Sequence, residues 1–147
     1  MGLERYHPTT THPVFGLPGT HILQLEARSL HDLTQQLEMG LLHETVTRLL
    51  MLLELTPVTF QQHIGLHLFN RRKNQRLTAR ASERVYRYAC LFERAMQLTG
   101  TQEAARTWLK TPNAALGGET PLQYARTELG GQLVQHLITA LEDGVVV

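Results

Sequence analysis

The chain has 147 residues, 42% of them apolar and 6% aromatic, with a formal net charge of +1. That is enough for one compact domain or two small ones, and it excludes a disordered chain. Apolar runs such as Leu49 to Leu53 fall far short of the roughly 20 residues that span a bilayer. The N-terminus lacks the basic, apolar and small-residue order of a secretory signal. The single cysteine, Cys90, excludes both an intrachain disulfide framework and a cysteine-based zinc site. These features predict a cytoplasmic protein with no cofactor, bound metal or membrane partner.

In chain order, Met1 to Thr20 carries three prolines, three glycines, four threonines and two histidines without helical or strand periodicity, and reads as an arm. A helix is predicted from Ser29, its N-cap, to Met39, with Leu30, Leu33 and Leu37 on one face and Gly40 as the stop. Leu42, Val46, Leu49, Leu50 and Leu53 recur at three- and four-residue steps and predict an amphipathic helix ending near Leu55. Thr56-Pro57 then opens a short helix to about Ile64, because the threonine hydroxyl caps free amides and proline is tolerated at the first helical position. Gly65 supplies a turn, and His67 to Arg76 reads as a basic helix.

Helix, glycine turn and basic helix form a helix-turn-helix pattern. Seven of the 14 basic residues (Arg71, Arg72, Lys73, Arg76, Arg80, Arg84 and Arg87) fall between positions 71 and 87, where Glu83 is the only acid. A field of that sign concentrates a polyanion. Arginines and lysines there suit phosphates, and asparagine suits adenine edges. The candidate DNA-binding residues are therefore His67, Asn70, Arg71, Arg72, Lys73, Asn74 and Arg76.

The longest predicted helix runs from Thr78 to Thr99, with Val85, Tyr88, Ala89, Phe92, Ala95 and Met96 inward and Gly100 as a left-handed stop. Thr101 caps the next, which turns Ala105, Trp108 and Leu109 toward the core. Pro112, Asn113 and Gly117-Gly118 force a loop, and Thr120-Pro121 restarts the chain with a possible capping box between Thr120 and Gln123. Thr127 caps a final helix whose predicted buried face is Leu129, Leu133, Leu137 and Leu141 with Val134 and Ile138, and Gly144 ends it. Val145 to Val147 form an apolar tail, suited either to tuck onto the core or to plug a neighbour's cleft.

The run 108-WLKTPNAALGGETPLQYARTELGG-131, followed by a helix closing in LEDGVVV, resembles the Xre/MbcA/ParS family of antitoxins. The resemblance rests on Trp108, Thr111, Pro112, Asn113, the Ala115 to Gly118 loop, the Thr120-Pro121 and Thr127-Glu128 helix starts, and Gly144. It covers roughly Gly40 to Val147. It implies an all-α fold, with an N-terminal arm and short helix over 1–40, an Xre-like helix-turn-helix domain over 41–78, and a small helical toxin-binding domain over 79–147. It also implies a non-catalytic antitoxin that binds a RES-domain, NAD-destroying toxin and, as a homodimer, its own operator DNA. The end of the chain would approach the toxin's NAD pocket, which makes Arg126, Glu128, Gly144, Val145, Val146 and Val147 the candidate toxin-binding residues. One departure concerns DNA: many relatives carry about one more helical turn before the basic run, so Leu68, Phe69 and Asn70 fall out of step with their base-reading positions.

Two rival readings remain. A stand-alone helix-turn-helix regulator would leave the C-terminal glycine-rich loop without a purpose. A metal or hydrolytic enzyme is suggested by His63-x-x-x-His67, but Gly65 interrupts that helix, no acid lies between the histidines and no third ligand is near. His7, His12, His21, His31 and His43 are expected to be exposed polar positions, and His136 a helix-surface residue.

Overall fold

A computed structural model describes residues 16–64 and 75–145 of the chain. Among them the elements are helices α1 (Thr20–Leu23), α2 (Leu30–Met39), α3 (His43–Leu53), α4 (Pro57–Ile64), α5 (Ala79–Thr99) and α6 (Gln102–Leu109), a 3-10 turn at Ala114–Leu116, then α7 (Pro121–Tyr124) and α8 (Glu128–Glu142). No strand occurs among the described residues, so the fold is all-α. The basic stretch from Gly65 to Asn74 lies outside them, and with it the predicted turn and most of the predicted basic helix.

The starts and stops follow local chemistry. Free amides at helix N-termini are taken up by side-chain oxygens. Ser29 accepts from Asp32 N–H at 3.0 Å, Thr56 from Thr59 at 3.1 Å, Thr78 from Ala81 at 3.1 Å and Thr101 from Ala104 at 3.1 Å. Gly100 closes α5 in the left-handed region at φ 93°, a backbone conformation that an L side chain disfavours.

Helix α5 is the central element. Val85, Tyr88, Ala89, Phe92 and Ala95 are fully buried on it, and α1, α2 and α3 pack against it from one part of the chain while α6 and α8 pack from the other. Buried residues from Leu17 to Ile138 form one cluster. Tyr88 reaches from α5 to donate its hydroxyl proton to the Leu122 carbonyl at 3.1 Å.

Four expectations are corrected. The described end of the arm is part of the core: Leu17, Thr20, Ile22, Leu23 and Ala27 are buried. Gly19 N–H donates to the Glu93 carboxylate at 3.0 Å and the Tyr86 hydroxyl to the Pro18 carbonyl at 2.5 Å. Short apolar segments without periodicity can still pack on a long helix. Leu30 opens α2 but is 70% exposed, leaving Leu33 and Leu37 as its buried face. The basic segment does not reach Arg76 as a helix, because Arg76 pairs with Leu42 in an antiparallel bridge. His43 N–H to Gln75 O at 2.9 Å and Leu77 N–H to Leu41 O at 2.8 Å flank that bridge. Gly40 makes room for it, since a Cβ there would fall 2.0 Å from the Leu77 carbonyl oxygen. His43 is not simply exposed either: its Nδ1 is buried without a hydrogen-bond partner. His21, His31 and His136 are exposed as expected.

Candidate functional site

The segment from Thr107 to Thr127 is closed by its own backbone. Asn113 N–H donates to Glu119 O at 3.0 Å and Gly118 N–H to Asn113 O at 3.0 Å, while the Asn113 side chain accepts from Ala115 N–H at 2.9 Å. Asparagine is suited to this because its short side chain mimics a backbone turn. Gly117 and Gly118 adopt φ 68° and 88°, and Leu116 pins the loop by burial. The restart is the capping box read from the sequence: Gln123 N–H donates to Thr120 Oγ1 at 3.1 Å and Thr120 N–H to Gln123 Oε1 at 3.2 Å.

Helix α8 starts at the Thr127 cap, which accepts from Gly130 N–H at 2.9 Å. Two glycines then set its position. A Cβ on Gly130 would lie 1.8 Å from the Tyr124 carbonyl oxygen, and one on Gly131 would lie 2.8 Å from the Arg87 side chain. The first turn of α8 therefore rests directly on the backbone that leaves α7. Arg87 fastens the same corner from α5 by donating to the carbonyls of Ala125 at 3.3 Å and Arg126 at 3.2 Å.

This close approach changes which residues of the first two turns of α8 face inward. The inward side is Gly130, Gly131, Val134, Leu137 and Ile138, with Leu141 partly buried against the core. Leu129 and Leu133, expected inside, are 65% and 39% exposed. They line a shallow groove of about 220 Å³ with Tyr124, Arg126, Gly130 and Glu119. Sequence periodicity missed these two leucines; the adjacent glycines inside a helix, each unfavourable there by about 1 kcal/mol, were the available signal of a close contact.

The remaining sequence-derived residues separate by position. Arg126 is exposed, holds the Gln123 carbonyl through Nε at 3.1 Å, and stands 3.8 Å from Glu119. Glu128 is exposed in the first turn of α8. Gly144, at φ 75°, and Val145, 53% exposed, sit at the other end of α8, about 20 Å away at 1.5 Å per residue. Val145 N–H closes that end on Ala140 O at 2.8 Å. Arg94 braces it from α5 with a 3.0 Å ion pair to Glu142 and a 2.9 Å bond to Thr139 Oγ1. Val146 and Val147 lie outside the described residues. So do His67, Asn70, Arg71, Arg72, Lys73 and Asn74 of the DNA set. Arg76 is exposed, and its guanidinium donates to the Gly40 carbonyl at 2.8 Å.

Burial pushes the Cys90 thiol up to about 11 against a smaller lowering by its hydrogen bond with Tyr86, so at neutral pH it is a protonated, weakly nucleophilic group. Among the described residues no cluster of three or more His, Cys, Asp or Glu could hold a metal ion, and no helix is long and apolar enough to cross a membrane.

Residues 94–144, which contain the closed loop, α7 and α8, match the family model described as the antitoxin Xre/MbcA/ParS C-terminal toxin-binding domain. Among curated proteins, Antitoxin Xre of Pseudomonas putida is 32% identical over 92 residues, covering 61% of this chain and 58% of that protein. Antitoxin Xre of Photorhabdus laumondii is 35% identical over 72 residues, 48% of this chain and 49% of that one. Antitoxin Xre of Yersinia enterocolitica is 38% identical over 71 residues, 48% of each. The chain thus spans about half the length of these relatives, up to 58% in the Pseudomonas case. Over the segment that carries the loop and α8, the chain is thus similar to the C-terminal toxin-binding domain of the Xre/MbcA/ParS antitoxins.

Proposed function

We propose that this protein is the antitoxin of a type II toxin-antitoxin pair: a binding protein rather than an enzyme, which silences its toxin by direct contact through residues 79–147. The observation that carries the reading is the match of residues 94–144 to a toxin-binding domain, on a segment whose loop and helix starts are fixed by their own caps. The toxin is a RES-domain protein that degrades NAD, and the contacts come from Arg126, Glu128 and the tail Gly144 to Val147. The exposure of Val145 supports a tail available to a partner rather than one tucked on the core.

In the same reading, residues 41–78 form the DNA-binding domain, residues 1–40 precede it, with Leu17 to Leu37 packed on the common core, and the antitoxin represses its own operon in the cytoplasm as a homodimer. Supporting this are the basic run at 71–76 and the helix α4 that precedes it. Arg71, Arg72, Lys73 and Arg76 hold phosphates, and His67, Asn70 and Asn74 complete the proposed DNA-binding set. Affinity then falls steeply with salt, because each phosphate contact releases condensed counterions.

The test is co-purification of the tagged full chain with the product of the adjacent gene, with cellular NAD followed in cells that express that product with and without the antitoxin. Tight association with NAD preserved supports the reading, and no association with NAD lost overturns it. Separately, reversing the charge at Arg71, Arg72 and Lys73 abolishes operator shift and leaves toxin binding intact; an unchanged shift at moderate salt removes the basic run from the DNA face.

A further inference from the structure

Large apolar side chains exposed to solvent are scattered on most proteins, and only a grouped set that could not have been avoided by packing invites an explanation. Among the described residues of the matched segment 94–144, the exposed large apolar residues are Leu129 and Leu133. They lie one turn apart on α8, over the groove edged by Tyr124, Arg126 and Glu119. Their exposure is not a loose end of packing. Beside and behind them, Gly130 and Gly131 hold the same turn against Tyr124 and Arg87, so this helix cannot roll to bury the leucines without breaking those contacts.

The two leucines also continue along the helix. Residues 129, 133, 136 and 140 follow at three- and four-residue steps and therefore share one stripe. His136 is exposed and Ala140 half-buried on it, and the stripe runs from Arg126 at one end to Gly144 and Val145 at the other. It joins two groups of candidate contacts that the length of α8 otherwise keeps apart. An interface of standard size needs an apolar centre with a polar rim. Here the leucines supply the centre, and Arg126, Glu128 and Gln132, all exposed, supply the rim.

We infer that Leu129 and Leu133 are the anchoring residues of the toxin interface, seated in an apolar depression on the toxin, with the α8 stripe leading the chain to its tail. The inference rests on the toxin-binding reading above and goes beyond it by placing the energetic centre of the contact at the N-terminal half of α8 rather than at the tail. The occupant is the toxin because both residues lie inside the segment matched to the toxin-binding domain. Other exposed apolar side chains, such as Met39, Met51 and Val58, lie outside it.

The test uses the full chain and the purified product of the adjacent gene as the probe. The double substitution Leu129→Asp with Leu133→Asp, at exposed positions, is expected to leave the melting temperature and helical content unchanged and to weaken toxin binding by about 100-fold or more. Leu129→Met with Leu133→Met is expected to retain binding, and Met51→Asp to leave it unaltered. Toxin affinity within about twofold of wild type in the Asp double variant overturns the inference while the antitoxin reading stands. So does a variant that loses self-association but keeps the toxin, since the stripe would then serve a second copy of the chain. If the wild-type chain itself fails to bind the probe, the toxin-binding reading falls and the inference with it.

Discussion

Two glycine pairs in the C-terminal segment look alike in the sequence and do opposite things. Gly117 and Gly118 lie in the loop between α6 and α7 at φ 68° and 88°, with nothing within 4 Å of where a Cβ would stand. They are needed for backbone freedom, and space is plentiful. Gly130 and Gly131 lie inside α8, where any residue could adopt the backbone, and a Cβ would meet Tyr124 and Arg87. They are needed for space. The first pair lets the loop fold back onto Asn113; the second sets the roll of α8 and so decides which leucines face the solvent.

Substitution separates the two roles. The largest effect is expected for Gly130→Ala: the new methyl group meets a backbone oxygen that has no flexible end to move. A loss of about 3 kcal/mol is expected from such overpacking, read as a lower urea midpoint at unchanged slope. Because α8 must shift to relieve the clash, toxin affinity should fall as well. Gly118→Ala comes next, costing about 1–2 kcal/mol from left-handed strain alone, and its toxin affinity should hold because no neighbour is displaced. The smallest effect is expected for Gly131→Ala. Alanine gains up to about 1 kcal/mol of helix propensity, offset by displacement of the Arg87 side chain from the Ala125 and Arg126 carbonyls, each bond worth about 1 kcal/mol. A net loss of no more than about 1 kcal/mol sharpens the distinction between a neighbour that can yield and one that cannot. If Gly118→Ala proved costlier than Gly130→Ala, the assignment of freedom to one pair and space to the other would be reversed.

The same contrast explains what could be read in advance. Ser29, Thr56, Thr78, Thr101, Thr120 and Thr127 signal helix starts because a cap needs only the next three residues, and the predicted starts of α2 and of α4 to α8 hold, with α4 beginning at Pro57. The inward stripe of α5 is likewise legible, since a helix of 21 residues repeats its pattern often enough to fix a face. The face of α8 was legible in part: Val134, Leu137, Ile138 and Leu141 turn inward as expected, and Leu129 and Leu133 do not. Leu129 and Leu133 continue the regular stripe of Leu137 and Leu141, and only a contact with residues before the helix turns them out. Leu17 to Ala27 joined the core for a similar reason: their partners, Tyr86 and Glu93 of α5, lie far along the chain. The loop and tail candidates came from the family resemblance, whereas the two exposed leucines were visible only in the packing.

The central claim is that this chain neutralises a toxin by binding it through α7, α8 and the tail, and a titration of purified proteins tests it most directly. NAD consumption by the adjacent gene's product would be followed as the full chain is added. The account predicts that activity falls linearly to zero at a fixed molar ratio, and that a chain carrying Asp at both 129 and 133 leaves most of the activity in place at the same ratio. Undiminished NAD consumption in the presence of excess wild-type chain would contradict it.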